Sequence, residues 1–547
     1  MITAPACAWE PPIFGLPRAM AELVLFWDEN TSLSAARPGG GIQQKGSCGR
    51  VLPRRGGTFL LTNKRWAGIR PRDVLDCVYM AAALFWVLAF IFEYLLRLVE
   101  FPRGSWSWRD AWYVLAIAVF GLGDGWKHLT AWLGWIIAGW IQFGLLQTAA
   151  IQQETLVVYK SVLTFGLLLP MGVILQPKYL RPFLKTLVAT WTFPVALMAC
   201  VADVAAIQGV NYQLLGSWTP AGKLFWWYSL TVFESSSVSA GFLVLALITA
   251  LMGIWMFRAR WIKILFGVAL VPLYLALALT NGRSSLLPFS LAVGVLLAVV
   301  LLRKPRVARW SRWPRVGIAL GTVFCSFLVL FGAAKFLTES WHSWAPEPNG
   351  GVIQLAVSPP LVSAAAAETA TQAETSGNFL LNLVTGFLSH SGHNDTFSAL
   401  SSGRDIIWSA VAETFRARPG LLWQGATVND HLTEMILVDE VTGVSETFGS
   451  LPGHTHCMPV QVLLETGLPG LLLYLGLFAL YLRSLIRLLR RGGTPLWALA
   501  AALIPLMIYC GELTECLTQL RCGYASCRFL YLFIGLTVGL DKKERIQ

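Results

Sequence analysis

The chain has 547 residues, of which 55% are hydrophobic and only 13% are charged, and its formal net charge is +12. The charged share is about half that of an ordinary soluble domain, and apolar runs of about 18 to 25 residues recur, which excludes a soluble globular fold. The basic residues stand in short clusters between these runs, as membrane anchors do, so the charge does not indicate a nucleic-acid partner.

The N-terminal segment 1–72 is polar, contains Gly and Pro and carries several basic residues. This composition predicts a loosely ordered cytoplasmic tail without a secretory signal, and an over-assigned start codon is the alternative. The ten cysteines form no CxxC pair, so no zinc site is predicted. Cys516 and Cys522 share a short loop and can form a disulfide if that loop faces an oxidising compartment.

The apolar runs predict an all-α integral membrane protein with about twelve transmembrane helices. The predicted spans are 74–98, 108–124, 128–150, 155–176, 182–207, 233–257, 261–280, 284–302, 315–336, 459–488, 495–513 and 524–541. Nine spans thus occupy residues 73–336, and three occupy residues 459–541, followed by a short tail, 542–547. The basic clusters between them all fall on one side of this count. The positive-inside rule therefore predicts a multi-pass protein of the cytoplasmic membrane with both termini in the cytoplasm.

One large extracytoplasmic loop, 337–458, separates the ninth and tenth spans. Residues 351–377 are small, polar and interrupted by Pro, which predicts a linker. Residues 378–458 are predicted to form an ordered helical part. Within it, residues 404–418 have the pattern of an amphipathic helix that Ser402 can cap and Pro419-Gly420 ends. Its apolar face comprises Ile407, Trp408, Val411 and Phe415.

The first candidate site residue is Arg283, in the segment TNGRSSLL between two predicted spans. Asn281-Gly282 suits a tight turn, and Ser284 can cap the helix that follows. A guanidinium beside an outward-facing helix N-terminus is a ready phosphate site. An arginine that reaches lipid headgroups fits the same spacing, so both interpretations stay open.

The second candidate is Arg404, in SGRDIIW, at the first turn of the amphipathic helix. Trp408 and Ile407 of that helix can pack on the membrane body. A surface arginine paired with Asp405 or Glu413 is the plain alternative.

The third candidate is His456, in GHTHCMPVQVLLETGLPG. The prolines of this segment predict a short helix, a break near Thr466-Gly467 and then a membrane span, which leaves His456 at the lip of the bilayer. A neutral imidazole there can take a proton from a hydroxyl. His454 is a possible supporting residue or a loop residue, and Glu465 either orients an acceptor or bonds within the bundle. A metal site that adds His390 or His393 is not enforced by any spacing, so no metal is predicted.

Together these residues predict two arginines, one histidine and two helix N-termini on one outer face beside lipid. Arginines bind a pyrophosphate, and a histidine activates a hydroxyl nucleophile. A glycan carried by a polyprenyl pyrophosphate needs both, and no nucleotide-binding loop is present.

The chain resembles the O-antigen ligase / O-antigen polymerase superfamily of bacterial membrane glycosyltransferases. The histidine motif of that family is His, then Asn, Ser or Gln, nine residues, Gly, two residues, then Gly, Thr or Tyr. His456, Gly467 and Gly470 fit it, and Cys457 departs from it. SGRDIIW and TNGRSSLL resemble two further arginine-containing segments of the family.

The resemblance implies a C-type glycosyltransferase scaffold that works by inversion, without metal or cofactor. Arg283 and Arg404 would hold the undecaprenyl pyrophosphate of the donor, and His456 would serve as the base or orient a lipid or glycan acceptor. Ligase and polymerase share these features. A transporter for the same lipid is a further alternative, with Glu93, Lys160 and Asp203 as its ionisable candidates, and a non-enzymatic scaffold or sensor is the last.

Overall fold

The computed structural model describes helices that cover most of the predicted spans from the fifth onward. The residues described are 73–74, 76–84, 87–88, 168–169, 171, 175, 177–208, 223–224, 230–231, 236–280, 282–308, 310–344, 404–425, 455–491, 493–513 and 525–543. The chain divides into two units, Met1–Met80 and Ala81–Gln547. The described residues of the first unit are helical, and everything below concerns the second.

The second unit is built from helices and one very short strand pair. In chain order the elements are α1 (Pro177–Gln208), β1 (Lys223–Leu224), β2 (Leu230–Thr231), α2 (Ser236–Met256), α3 (Arg260–Leu279), α4 (Arg283–Leu302), α5 (Pro305–Ala308), α6 (Arg312–Trp344), α7 (Arg404–Ala417), α8 (Leu421–Gln424), α9 (Met458–Arg490), α10 (Leu496–Glu512) and α11 (Ala525–Lys543). β1 and β2 pair antiparallel and are a small exception to the predicted all-α fold.

Six described helices, α1, α2, α3, α4, α6 and α9, are long and apolar enough to cross a membrane. The protein is therefore an integral membrane protein, as predicted. Helix α10 is apolar but shorter. The first four predicted spans lie wholly or largely outside the described residues, so the total of about twelve stays a prediction. The possible Cys516–Cys522 disulfide also lies outside the described residues.

Helix α2 forms the centre of the bundle and α6 forms its edge. Helix α2 contacts α1, α3, α4 and α10, and 83% of its apolar window is buried. The ring of Trp191 in α1 lies between Phe242 of α2 and Phe529 of α11, at centroid distances of 5.6 and 4.6 Å. In contrast, only 11% of the apolar window of α6 is buried. Large exposed side chains such as Trp313 and Phe336 on α6 face lipid in a bilayer, which costs little because lipid is apolar.

A group of polar residues joins the ends of three helices on one face of the bundle. Arg303, which follows α4, donates hydrogen bonds to the carbonyls of Thr494 (2.6 Å) and Arg491 (3.3 Å), just after α9. Arg491 in turn lies 2.8 Å from the carboxylate of Asp541 in the last turn of α11. We call these four residues the latch. Because α4 and α9 both end at the latch, both begin on the opposite face.

Helix α9 is also tied to α10 through a tyrosine. The hydroxyl of Tyr481 donates to the carbonyl of Ala502 (2.6 Å) and accepts the N–H of Leu506 (3.0 Å). In an uninterrupted helix that N–H and that carbonyl would bond to each other. Pro505 interrupts α10 at this point, and the Tyr481 hydroxyl bridges the opened ladder.

Two helix ends differ from the sequence predictions. The cap of α4 is Gly282, not Ser284, because the Thr280 hydroxyl accepts the Gly282 N–H at 3.3 Å and starts the helix earlier. Helix α6 runs to Trp344, past the predicted end of its span at residue 336. Its extension is supported by a hydrogen bond from the Thr338 hydroxyl to the Ala278 carbonyl, 2.9 Å long.

Candidate functional site

The amphipathic helix predicted at residues 404–418 is present as α7, and its apolar face packs on the start of α9. Ile407, Ala410 and Val411 form a buried cluster with Leu464 of α9. Trp408, Phe415, Leu421 and Val460 pack around this cluster. The predicted face of Ile407, Trp408, Val411 and Phe415 is therefore confirmed. Helix α7 is thus attached to the short segment of α9 that directly follows His456.

A second attachment is made by two glycines whose backbones touch. Gly425, after α8, and Gly467, inside α9, have φ values of 73° and 66°, in the left-handed region. A Cβ on Gly467 would lie 2.6 Å from the carbonyl oxygen of Trp423, and one on Gly425 would lie 2.6 Å from the backbone nitrogen of Thr466. Glycine is required at both positions because nothing larger fits and because φ is positive.

The same contact explains the break in α9. Gly467 has non-helical φ and ψ inside the continuous element Met458–Arg490, which confirms the break predicted near Thr466-Gly467. The carbonyl of Trp423 approaches Gly467 at this kink, and the carbonyl of Glu465 approaches Gly425. The kink therefore divides α9 into a short helix after His456 and a membrane span. Helix α8 packs against the junction between these two parts.

His456 itself has a left-handed backbone, with φ of 52°, and is the one non-glycine residue with positive φ in the described part of the chain. This conformation costs about 1–3 kcal/mol and persists only where neighbouring contacts impose it. His456 is partly buried. Such strain is often found where a side chain must be aimed, and here it falls on the residue that the sequence singles out.

The contacts that impose this conformation converge on the preceding residue, Thr455, which is 0% exposed. The indole Nε1 of Trp408 donates to the Thr455 carbonyl at 2.9 Å. The Thr455 N–H donates to Oε1 of Gln461 at 2.9 Å. The Thr455 hydroxyl donates to the carbonyl of Cys457 at 3.0 Å. The backbone is thus held on both sides of His456.

Gln461 is itself held in place by Glu465. Its Nε2 donates to Oε1 of Glu465, one turn further along α9, at 2.7 Å. This hydrogen bond lies within α9, and a role of Glu465 in orienting an acceptor stays a prediction. Gln461 and Thr455 were not identified from the sequence, although an amide one turn before an acid on the same helix face was a usable signal.

Arg283 is the first residue of α4, next to a tight approach between helices. A Cβ on Gly282 would contact that of Ala240 in α2, so the turn that presents Arg283 lies directly against the central helix. Both α4, which begins with Arg283, and α9, which begins two residues after His456, end at the latch, so both residues lie at helix starts away from it. Their convergence within one cleft stays a prediction.

Arg404 is the first residue of α7, one turn before Trp408, whose indole bonds the residue beside His456. The structure therefore brings the first turns of α7 close to Thr455, the residue before His456. Glu413, one alternative partner of Arg404, pairs with Arg416. His454 and the metal candidates His390 and His393 lie outside the described residues.

The fold defines a class: a multi-pass helical membrane protein with a strained histidine whose neighbouring residue, Thr455, is held by hydrogen bonds. Residues 268–475 match the model of a protein family described as O-Antigen ligase. This match includes Arg283, Arg404 and His456, and it confirms the predicted resemblance to the O-antigen ligase and polymerase superfamily. The family implies activity of the ligase or polymerase type. A comparison with curated protein sequences gave no match.

Proposed function

We propose that the protein transfers a glycan from an undecaprenyl pyrophosphate carrier to a hydroxyl group of a lipid or glycan acceptor, on the outer face of the cytoplasmic membrane. The observation that carries this proposal is the clamped, left-handed His456 on the bundle face where Arg283 begins α4. The positive-inside rule assigns that face to the outside, because the basic latch lies at the other end.

In the reaction, the acceptor oxygen attacks the anomeric carbon of the donor glycan while the bond from that carbon to the pyrophosphate breaks. His456 takes the proton of the attacking hydroxyl, and undecaprenyl pyrophosphate leaves with the bonding electrons. Attack opposite the leaving group inverts the anomeric configuration. A positioned general base typically contributes 10²- to 10⁴-fold to such a step.

The two arginines act on the leaving group. A pyrophosphate gains negative charge as the glycosidic bond breaks, and guanidinium groups bind its oxygens in pairs. Arg283 and Arg404 each stand at the start of a helix, where the N-terminal backbone N–H groups add partial positive charge. These charges stabilise the transition state more than the bound donor, which raises the rate. Neither a metal ion nor a cofactor is required for this chemistry.

A transporter for the same lipid is the second candidate function, because Asp203 is buried in α1. Asp203 is 4% exposed, and neither of its carboxylate oxygens has a hydrogen-bond partner among the residues that the structure describes. An isolated buried acid within a membrane helix is typical of ion-coupled transport. The other candidates, Glu93 and Lys160, lie outside the described residues.

The test uses the full chain, purified into lipid nanodiscs, with radiolabelled undecaprenyl-pyrophosphate-linked glycan and a candidate acceptor. The wild-type protein is expected to form labelled product, and His456→Ala is expected to lose it while remaining folded. Arg283→Met and Arg404→Met should each lose roughly 10²-fold. Arg416→Met, an exposed arginine of α7, is the matched control and should keep its activity. Full transfer by His456→Ala would refute the role of the histidine. Movement of intact labelled lipid across vesicles, without bond cleavage, would favour transport.

A further inference from the structure

The backbone around His456 is held by a side chain that makes two hydrogen bonds in opposite directions. Gln461 accepts the Thr455 N–H through its carbonyl oxygen and donates to Glu465 through its amide nitrogen. Gln461 is 0% exposed, so neither bond is exchanged for one to water. The amide of a glutamine is suited to this arrangement, because its oxygen accepts and its nitrogen donates.

The remaining contacts at this turn do not replace Gln461. The N-cap residue of α9, Cys457, makes no side-chain capping bond to the helix. The Thr455 hydroxyl and the Trp408 indole both bond carbonyl groups. Among the described side chains at this turn, Gln461 is therefore the acceptor that anchors an N–H group of the chain entering His456.

We propose that Gln461 is a positioning residue that holds His456 in its left-handed conformation and thereby aims the imidazole at the acceptor hydroxyl. This inference rests on the proposed function, because it assigns Gln461 a role in the transfer that His456 performs. Gln461 acts through the backbone of Thr455, one residue before the histidine. Loss of the anchor lets His456 relax towards ordinary backbone conformations, which moves the imidazole while leaving the donor site intact.

A positioning role and a purely structural role give different kinetic results. Misplacement of a base lowers kcat and leaves the KM for the donor nearly unchanged, since the pyrophosphate is held by other residues. General destabilisation lowers the amount of folded protein but leaves kcat per folded molecule as it was. Hydrogen exchange of the Thr455 amide adds a readout that does not depend on transfer at all.

The first arm of the test compares Gln461→Met with Thr414→Val in nanodiscs. Methionine keeps the length of the side chain and removes both hydrogen bonds. Thr414 is a buried residue of α7 whose hydroxyl bonds only the Ala410 carbonyl of its own helix among the bonds described, so its variant is the matched loss of a buried polar group. We expect Gln461→Met to lower kcat roughly 10- to 100-fold, with an unchanged donor KM and faster exchange at Thr455. Thr414→Val should change none of these.

The second arm is a rescue by exchange of the two side chains. In the double variant Gln461→Glu/Glu465→Gln, a carboxylate at 461 accepts the Thr455 N–H and an amide at 465 donates to that carboxylate, so both bonds return in the same places. We expect this variant to recover most of the lost kcat and the slow exchange. Gln461→Glu alone sets two carboxylates side by side and should not recover them.

The outcomes separate the two proposals. If the wild-type protein forms no product with any lipid-linked glycan, the proposed function fails, whatever the exchange data show. If the wild type transfers glycan but Gln461→Met has the same kcat per folded molecule, the positioning role is overturned. A double variant whose kcat remains as low as that of Gln461→Met also overturns it. In that case, restoring the hydrogen bonds of residue 461 to Thr455 and residue 465 would not restore transfer.

Discussion

The two ends of the bundle are built in different ways. At the latch, Arg303, Arg491, Thr494 and Asp541 join α4, α9 and α11 by direct contacts of charged side chains with backbone carbonyls and a carboxylate. At the opposite end, α9 is bent at Gly467, and His456, two residues before the start of α9, has a strained backbone. The latch joins three helices to each other, whereas the hydrogen bonds at the opposite end hold the backbone around His456.

The two ends also differ in backbone conformation. The latch residues lie at helix ends in ordinary conformations, whereas the His456 end combines three positive φ values, at His456, Gly425 and Gly467. Only His456 is strained by its positive φ, since glycine adopts such values freely, and strain of this kind is found at sites where geometry matters more than stability. Variants of the latch should therefore lower stability while transfer per folded molecule is kept, and variants of the His456 end should lower transfer more than stability.

The largest effect is expected for Gly467→Ala, which strikes the junction of α8 and α9. A methyl group there would clash with the Trp423 carbonyl, and alanine would have to adopt the positive φ of this position. The α7–α8 segment should therefore fail to pack on α9. We expect transfer to be lost and stability to fall by about 3 kcal/mol or more. Thermal unfolding in nanodiscs measures the second effect. Gly420→Ala is the control, since no described atom beyond its chain neighbours lies within 4 Å of its Cβ position and its φ is −59°. Equal behaviour of the two variants would disprove the backbone contact.

The next effect is expected at the latch. Arg303→Met removes two hydrogen bonds from a charged donor, which together stabilise by about 2–3 kcal/mol. The midpoint of thermal unfolding should fall, while kcat per folded molecule should stay within about twofold, because the His456 end is untouched. Arg312→Met, an exposed arginine at the start of α6, should leave the midpoint in place. A large fall in kcat without loss of stability would show that the two ends are not separate in function.

A smaller loss of stability is expected where Tyr481 bridges α10. Tyr481→Phe keeps the ring and removes the hydroxyl that joins Ala502 and Leu506, at a cost of about 1–2 kcal/mol. Transfer per folded molecule should again be kept, since Tyr481 lies within the membrane span of α9. Unchanged stability would mean that Pro505 leaves no gap that needs the hydroxyl.

The smallest effect is expected for Trp408→Phe. This change removes the indole bond to the Thr455 carbonyl and keeps most of the packing on the buried cluster that includes Leu464. Stability should fall by about 1 kcal/mol, and kcat should fall by a factor of a few, because one of the contacts around His456 is lost. Trp423→Phe, at an exposed tryptophan of α8, is the control. A fall in stability alone, with kcat preserved, would show that the bond from Trp408 to Thr455 does not help to position His456.

Much of the membrane fold was predictable from the sequence because hydropathy is a local property. The predicted spans 261–280 and 284–302 agree with α3 and α4 to within a residue, since a run of apolar residues fixes its own ends. The break at Gly467 was predictable because a glycine two residues before Pro469 is a local signal for an interrupted helix.

The contacts that hold the backbone around His456 and at the Gly467 kink were not predictable in the same way. It depends on contacts between residues far apart in the chain, such as Trp408 with Thr455 and Trp423 with Gly467. The sequence indicates that Gly425 and Gly467 are glycines but not that their backbones touch. Ser284 is not the cap of α4, because the helix begins at Arg283 after Gly282, whose N–H donates to the Thr280 hydroxyl. Long-range contacts and competition between nearby polar groups are what local patterns omit.

The most direct measurement is an electron cryo-microscopy structure of His456→Ala in nanodiscs with an undecaprenyl-pyrophosphate-linked glycan bound. We predict that the pyrophosphate lies between the guanidinium groups of Arg283 and Arg404 and that the anomeric carbon faces position 456. A pyrophosphate bound on the face of the latch, or one that contacts neither arginine, would contradict a transfer site at the His456 end.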